Sequence, residues 1–365
     1  MSIFEDGPEY KARAAKPYEF PKATLKQVHD AVPKELTRRS TIKGIAWALR
    51  DALMCASIYQ AAKYIDPFVT VLKGRDGLTG AGIFTLGHDA GHGSLSDHQF
   101  VNHTIGFIAH TFILAPYFSW RHSHHLHHKA SGSMERDENY LPKTRSELKM
   151  APESVMKKAD YEEIFGETPF YTLTRMAIMQ FLGWQLYLTI NALEAQHSHA
   201  FPVSAALESI VRPVPEDLLT FIKFYLVPYV LLNHWVVMFT YLHHTDPTLP
   251  HFRKDSWTFL RGAVTTIDRP LMGWMGRFFF HNISHDHIAH HFYSSAPFYN
   301  GPEITKYVRK ALGDEYNYDS TNTFRALYRS FTNCEFVEDD GGIVMWKNRE
   351  GKAVRKVAGE VDKME

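Results

Sequence analysis

Residues 218–242 read LLTFIKFYLVPYVLLNHWVVMFTYL, and the chain passes from there straight into HHTDPTLPH. A run this long matches the roughly 20 apolar residues that cross a bilayer as a helix. Its one lysine, Lys223, lies near an end where the ammonium can reach toward water, while His234 falls deep inside. This run sets the expected fold class, an all-α membrane protein. Working outward, residues 172–195 give a second apolar stretch, interrupted by Arg175 and Gln180, and residues 42–65 and 100–120 give two weaker ones. Buried helices of a soluble protein are the competing reading of each, because the chain as a whole is too polar to be dominated by spans.

The 365 residues carry 40 lysines and arginines against 40 aspartates and glutamates. A zero net charge lacks the basic footprint of a nucleic-acid binder, so no nucleic-acid partner is expected. Two distant cysteines, Cys55 and Cys334, exclude both a disulfide framework and a thiolate-rich metal site. The opening MSIFEDGPEYKARAAKPYEF has no apolar core of the kind a signal peptide needs. Residues 1–35 read as a polar arm. Two broken apolar segments follow in 36–87, parted by an expected polar turn, KGRDG at 73–77. Residues 146–170 read as a solvated loop and 301–365 as a charged tail, with disorder expected after Asn348. The chain thus divides into an arm (1–35), a membrane-embedded unit (36–300) and a tail (301–365). Helical periodicity prevails, and no repeat of solenoid period is present.

Histidine is the anomaly. Ten of the 22 fall between His88 and His128. The first cluster is His88-Asp-Ala-Gly-His92, whose two imidazoles lie one helical turn apart on one face. The second, RHSHHLHHK, contains His124, His127 and His128, and the third is His287-Ile-Ala-His290-His291. Both of these follow H-x-x-H-H, so one helix face can serve two metals at once. A histidine-rich chelating or pH-sensing surface is the bland alternative. It fits poorly with clusters set beside apolar stretches, where unpaired polar rings are costly to bury. Eight imidazoles exceed the four ligands zinc usually takes. Shared between two ions, they leave room for oxygen. Iron is preferred, and ligand type alone leaves copper open.

At these residues the chain resembles the membrane fatty-acid desaturases, in particular the Δ12/ω3 (methyl-end) group with a fungal cast. The likeness extends through APYFSWRHSH from Ala115, RDENYLPK from Arg136, LNHWVVMFTYLHHTDPTLPH from Leu232, SWTFLRGAVTTIDR from Ser256, HNISHDHIAHHFYSSAPFYN from His281 and FRALYRSFTNCEFVEDDGGIVMWK near the end. It spans roughly residues 22–350. The resemblance implies transmembrane helices bearing a cytosolic helical cap that holds a di-iron site at the endoplasmic reticulum membrane. It implies O2 as oxidant, an acyl lipid (phospholipid- or CoA-linked) as substrate, and electrons from NADH through a reductase and cytochrome b5. Carried over residue by residue, the implied ligands are His88, His92, His124, His127, His128, His287, His290 and His291. His244 is the choice for a ninth and His281 its alternative. His122, His125, His243 and His285 fall outside the pattern. Asp89 and Asp286, beside ligands, could fix imidazole tautomers, with Asp137 and Asn282 as weaker candidates. Trp120, Trp235 and Phe239 could line an acyl tunnel.

The chain departs from the family in having Ala90 where the first box carries cysteine, in the short apolar hairpin before that box, and in a compressed segment at 197–217. Two apolar segments between the second and third boxes keep all three on one side of a membrane. The expected reaction is insertion of a second double bond into a monounsaturated chain, oleoyl to linoleoyl. An acetylenase or hydroxylase of the same family, a catalytically inactive membrane relative, and a soluble histidine-rich metal protein are the rivals.

Overall fold

The computed structural model describes residues 4–63, 70–166, 168–190 and 221–358. The described chain is mostly helical. Its principal helices are α1 (Thr41–Lys63), α2 (Thr70–Gly91), α3 (Gln99–Phe112), α4 (Tyr117–Ala130), α5 (Pro169–Ile190), α6 (Val227–His244), α7 (His287–Phe292), α8 (Gly301–Leu312) and α9 (Thr323–Asn333). A two-stranded antiparallel sheet pairs β1 (Pro250–Phe252) with β2 (Ile343–Met345), His251 lying opposite Val344.

Helix α2 is the axis of the bundle, packing against α1, α3 and most extensively α6, while α5 covers the other side of α6. Glycines set the spacing. A Cβ on Gly77 would lie 2.4 Å from Cβ of Leu231, and one on Gly80 would lie 2.8 Å from Cδ1 of Leu232. Only residues without a side chain let the two backbones approach so closely. Leu78, Phe84, Leu232, Val236, Phe239 and Phe280 form the core around this seam. A second core, with Val28, Ile288, Phe292, Ile304, Val308 and Leu312, seats α7 between α8 and the short helix Leu25–Ala31 of the arm.

Several expectations are corrected by these helices. The KGRDG segment is no turn but lies within α2. Residues 100–120 are not one segment: α3 ends before Leu114, which takes a left-handed φ of 56°, and Pro116 then opens α4. The 218–242 run is also irregular. Its residues before 221 lie outside the described ones, as does the 197–217 segment, and Ile222–Leu226 form a π-helical turn. Pro228 lacks the N–H that an α-helix would donate to residue 224, and Val227 N–H bonds back to Ile222 O instead. Among the described residues, no helix is both long and apolar enough to cross a membrane.

Residues 349–358 are ordered where disorder was expected. Tyr18 N–H donates to Lys356 O at 2.7 Å and Ala358 N–H to Tyr18 O at 2.8 Å, so the last described residues run beside the arm. Beneath them lies a buried network of three carboxylates and three guanidiniums. Asp319 meets Arg269 and Arg329 at 2.6 Å each. Asp246 meets Arg269 at 3.0 Å, Arg329 at 3.3 Å and Arg13 at 3.9 Å. Asp6 meets Arg329 at 2.8 Å. Arm, tail and the segments flanking α6 and α7 are thereby tied together. Burial alone would raise the Asp319 pKa, but Arg269 and Arg329 outweigh it and hold the carboxyl below its usual range. Arg329→Ala, which removes one of the two guanidiniums shared by the buried Asp246 and Asp319 and leaves Arg269 to neutralise both, is expected to cost about 3–5 kcal/mol, read as a fall in thermal midpoint. Because the folded pKa is depressed, the stability from Asp319 is complete above the ordinary carboxylate range near 4 and lost on further acidification. Denaturation of wild type and Arg329→Ala across that range should therefore converge at low pH.

Candidate metal centre

Four helix ends meet at one place: the C-terminus of α2 with His88 and His92, the last two turns of α4 with His124, His127 and His128, the last residue of α6, His244, and α7 with His287, His290 and His291. Their side chains divide into two groups. His88, His92, His124, His128 and His290 offer one nitrogen each, all within 4.8 Å of one another, and so do His127, His244 and His291. His287 joins the second group, its Nε2 lying 3.0 Å from His244 Nε2 and 3.2 Å from His291 Nε2. Each H-x-x-H-H motif is split: His124 and His128 face one group and His127 the other, while His290 faces the first and His287 and His291 the second.

The nitrogens approach as ligands do. His128 Nε2 is 3.1 Å from His124 Nε2 and 3.2 Å from His290 Nε2, and His127 Nε2 is 3.3 Å from His244 Nε2. Imidazole nitrogens about 2.0–2.1 Å from a common ion would stand roughly 2.9–3.4 Å apart at right or tetrahedral angles. His92 Nε2 is buried and has no hydrogen-bond partner. Carboxylates fix two tautomers. His127 Nδ1 donates to Asp137 Oδ1 at 2.7 Å and His88 Nδ1 to Asp89 Oδ1 at 3.0 Å, which turns each Nε2 lone pair inward. Asp137 is itself held by N–H groups of Gly132 (2.9 Å) and Asn139 (3.1 Å). Burial, reinforced by neighbouring rings, keeps His124, His128, His287, His290 and His291 well below their usual pKa. They are neutral at pH 7, the form that binds metal. The donor set therefore fits two adjacent metal ions.

The remaining sequence candidates sit around this array. Asp137, a weaker candidate in the sequence, has the shortest of these carboxylate–imidazole contacts. Its signal is the N–H-rich SGSMERD turn after the second box. His281 stands apart from both groups, with Nε2 2.8 Å from Asp51 Oδ2. Asp286 accepts from Arg277 Nη1 at 3.0 Å and Asn282 donates to Phe298 O at 3.3 Å. His243 Nδ1 donates to Ile267 O at 2.5 Å and its ring stacks on His287, while His125 stacks on His92. Tyr140, unnoticed in the sequence, stacks nearly parallel on His244 and bonds Thr240 through its hydroxyl at 2.5 Å. Its left-handed φ of 59° marks a backbone held in strain beside the site.

Against the histidines lies a cavity of about 70 Å³, walled by Phe84, Trp120, Trp184, Val237, Phe239 and Ile283, with His88, His124, His127, His244 and His287 on the metal-facing side. Trp120 and Phe239 are thus in its wall. Trp235 instead packs beside Phe280 and His234.

Two adjacent all-imidazole groups on a helical scaffold, facing an apolar cavity, form a histidine-rich site able to hold metal. A family model, fatty acid desaturase, matches residues 77–322. The chain is 36% identical to the Delta(12) fatty acid desaturase of Mortierella isabellina, over 90% of this chain and 92% of the relative. It is 33% identical to an oleate hydroxylase of Claviceps purpurea, over 90% and 82%, and 29% identical to an endoplasmic-reticulum omega-6 fatty acid desaturase of Brassica juncea, over 89% and 90%. The chain belongs to the fatty acid desaturase family and is an oxidoreductase.

Asp137→Asn should leave the fold intact but allow the wrong His127 tautomer. Metal affinity is expected to fall about 10–100-fold, measured as metal retained per chain against a competing chelator.

Proposed function

We propose that this protein is an iron- and oxygen-dependent desaturase that places a second double bond in a monounsaturated fatty acyl chain, oleoyl to linoleoyl. The observation that carries the reading is the pair of all-imidazole groups opening on an apolar cavity. The identity to a Delta(12) desaturase over most of both chains supports the substrate. His88, His92, His124, His128 and His290 would hold one iron, and His127, His244, His287 and His291 the other. With both irons bound, the centre would supply the oxidising power of O2 for removing hydrogen from two neighbouring methylenes. The protein's own part is positional. Phe84, Trp184, Val237 and Phe239 hold the chain against the histidines and exclude water, and small displacements of the reacting carbons are costly. Ala90, where the family carries cysteine, is fully buried against Leu86, Leu95 and Phe298. It therefore packs behind the first box rather than toward the cavity. Hydroxylation is the second reading, supported by the similarity to an oleate hydroxylase.

Membrane residence rests on exposed apolar faces. Ile42, Ile45, Leu49 and Leu53 line one face of α1; Phe100, Phe107, Ile108 and Phe112 line one face of α3; Phe170, Leu173, Ile178, Phe181 and Leu182 project from α5. So much exposed apolar surface is costly in water and marks an interaction surface, here a lipid bilayer. We assign the membrane-embedded unit to residues 36–300, with arm and tail on the cytosolic side together with the histidines. The endoplasmic reticulum is the proposed location, as in the Brassica relative's description. Cytochrome b5 and its NADH reductase are the proposed electron donors.

Expression in a yeast that makes no polyunsaturated lipid should yield a new diene, and purified protein should carry iron near two ions per chain. His127→Ala should lose the diene and much of the iron together. A hydroxylated product would transfer the assignment to the second reading, and a full iron complement with unchanged lipids would refute both.

A further inference from the structure

Helix α1 carries one acidic residue, Asp51, and it is buried to 1% exposure. A carboxylate in that position is expensive unless it is paired, and packing against α2 does not call for one. Arg50 donates to Asp51 Oδ1, and on the inner side His281 Nε2 lies 2.8 Å from Asp51 Oδ2. The other ring nitrogen, Nδ1, faces Asp89 Oδ2 at 3.9 Å, within reach of an electrostatic contact but too far for a hydrogen bond. Asp89 in turn accepts from His88 Nδ1 at 3.0 Å through its second oxygen. Arg50 closes the outer end, with Nε 2.8 Å from Asp51 Oδ1 and Nη2 2.9 Å from His281 Nε2. Carboxylate, imidazole, carboxylate and imidazole thus alternate from α1 to the first metal group.

The middle ring is held firmly. Phe298 stacks on it at 4.3 Å with an interplanar angle of 12°, and Trp47 of α1 meets it edge-on at 6.0 Å. His281 and Asn282 both take left-handed φ values, 49° and 66°. Two consecutive non-glycine residues there are unfavourable, and such strain persists where surroundings over-determine it. The backbone is bent so that His281 stands between the two carboxylates.

We infer that Asp51 and His281 are positioning residues for the metal centre: acting through Asp89, they fix the ring of His88 and couple α1 to the first metal group. This rests on His88 being a metal ligand, as proposed above. If Asp51 acts only through Asp89, removing either should have the same consequence and removing both should add nothing, because residues in one network are not additive.

The test is iron release from full-length purified protein to a chelator, with the iron spectrum recorded alongside, for wild type, Asp51→Asn, Asp89→Asn and the double variant. Each single variant should lose iron about tenfold faster, the lower end of what outer-shell partners contribute. The double variant should match Asp89→Asn, and all three should share one altered spectrum. Should Asp51→Asn fail to fold, the double variant Asp51→Leu, His281→Leu removes both buried polar partners at once and carries the test, with faster iron loss still expected. Wild-type release rates in Asp51→Asn or its leucine substitute, or fully additive effects, would overturn the inference and reduce Asp51 to an anchor of α1. A wild-type protein that holds no iron would instead refute the proposed function.

Discussion

Nine imidazoles gathered at one point, five buried and four half-buried, impose the constraint to which the rest of the structure answers. Rings placed Nε2 to Nε2 at 3.0–3.3 Å cannot all be satisfied by sharing protons, since an imidazole nitrogen without a proton can only accept. Where Asp137 and Asp89 take the Nδ1 proton, the Nε2 lone pair is turned into the cluster, where it can ligate a cation. Without metal the cluster is a set of desolvated polar groups; with metal the same burial keeps the ligands deprotonated and water out. Burial and ligation therefore favour the same protonation state.

Holding such an array demands that segments far apart in sequence keep their spacing. The first group draws on α2, α4 and α7, and the second on α4, α6 and α7. Two devices maintain that spacing. On the bundle side, Gly77 and Gly80 let α2 and α6 lie close along their length, so His88 and His244 emerge at a defined separation. On the other side, the buried Asp–Arg network fastens the residues just after α6, and Arg269 of the segment that leads on to α7, to the arm and to α9. Arg269 joins both devices, because its Nε also donates to Leu242 O, two residues before His244.

The apolar surface has two roles in this architecture. Part of it lines the cavity against the histidines, where Phe84 and Trp184 meet edge-on at 5.2 Å. The rest faces outward from α1, α3 and α5. That division separates the surface that would select the reacting carbons from the surface that would contact lipid. It also places the histidines at the junction of the apolar bundle and the polar cap formed by arm and tail.

The histidine positions were legible in the sequence because ligand spacing is local. Residues three and four apart on a helix share a face whatever the fold, so His88/His92 and the two H-x-x-H-H motifs declared their pairing without any long-range information. Other features were not legible because no local rule encodes them. The helical state of KGRDG, the break at Leu114–Pro116, the return of residues 349–358 onto Tyr18, and the burial of Asp51 against His281 depend on partners tens to hundreds of residues away. By itself the sequence determined which rings share a helix face and the family the chain belongs to. Only the tertiary structure decided how those rings are dealt between two groups and which carboxylates aim them, since both follow from where separate helices end in space.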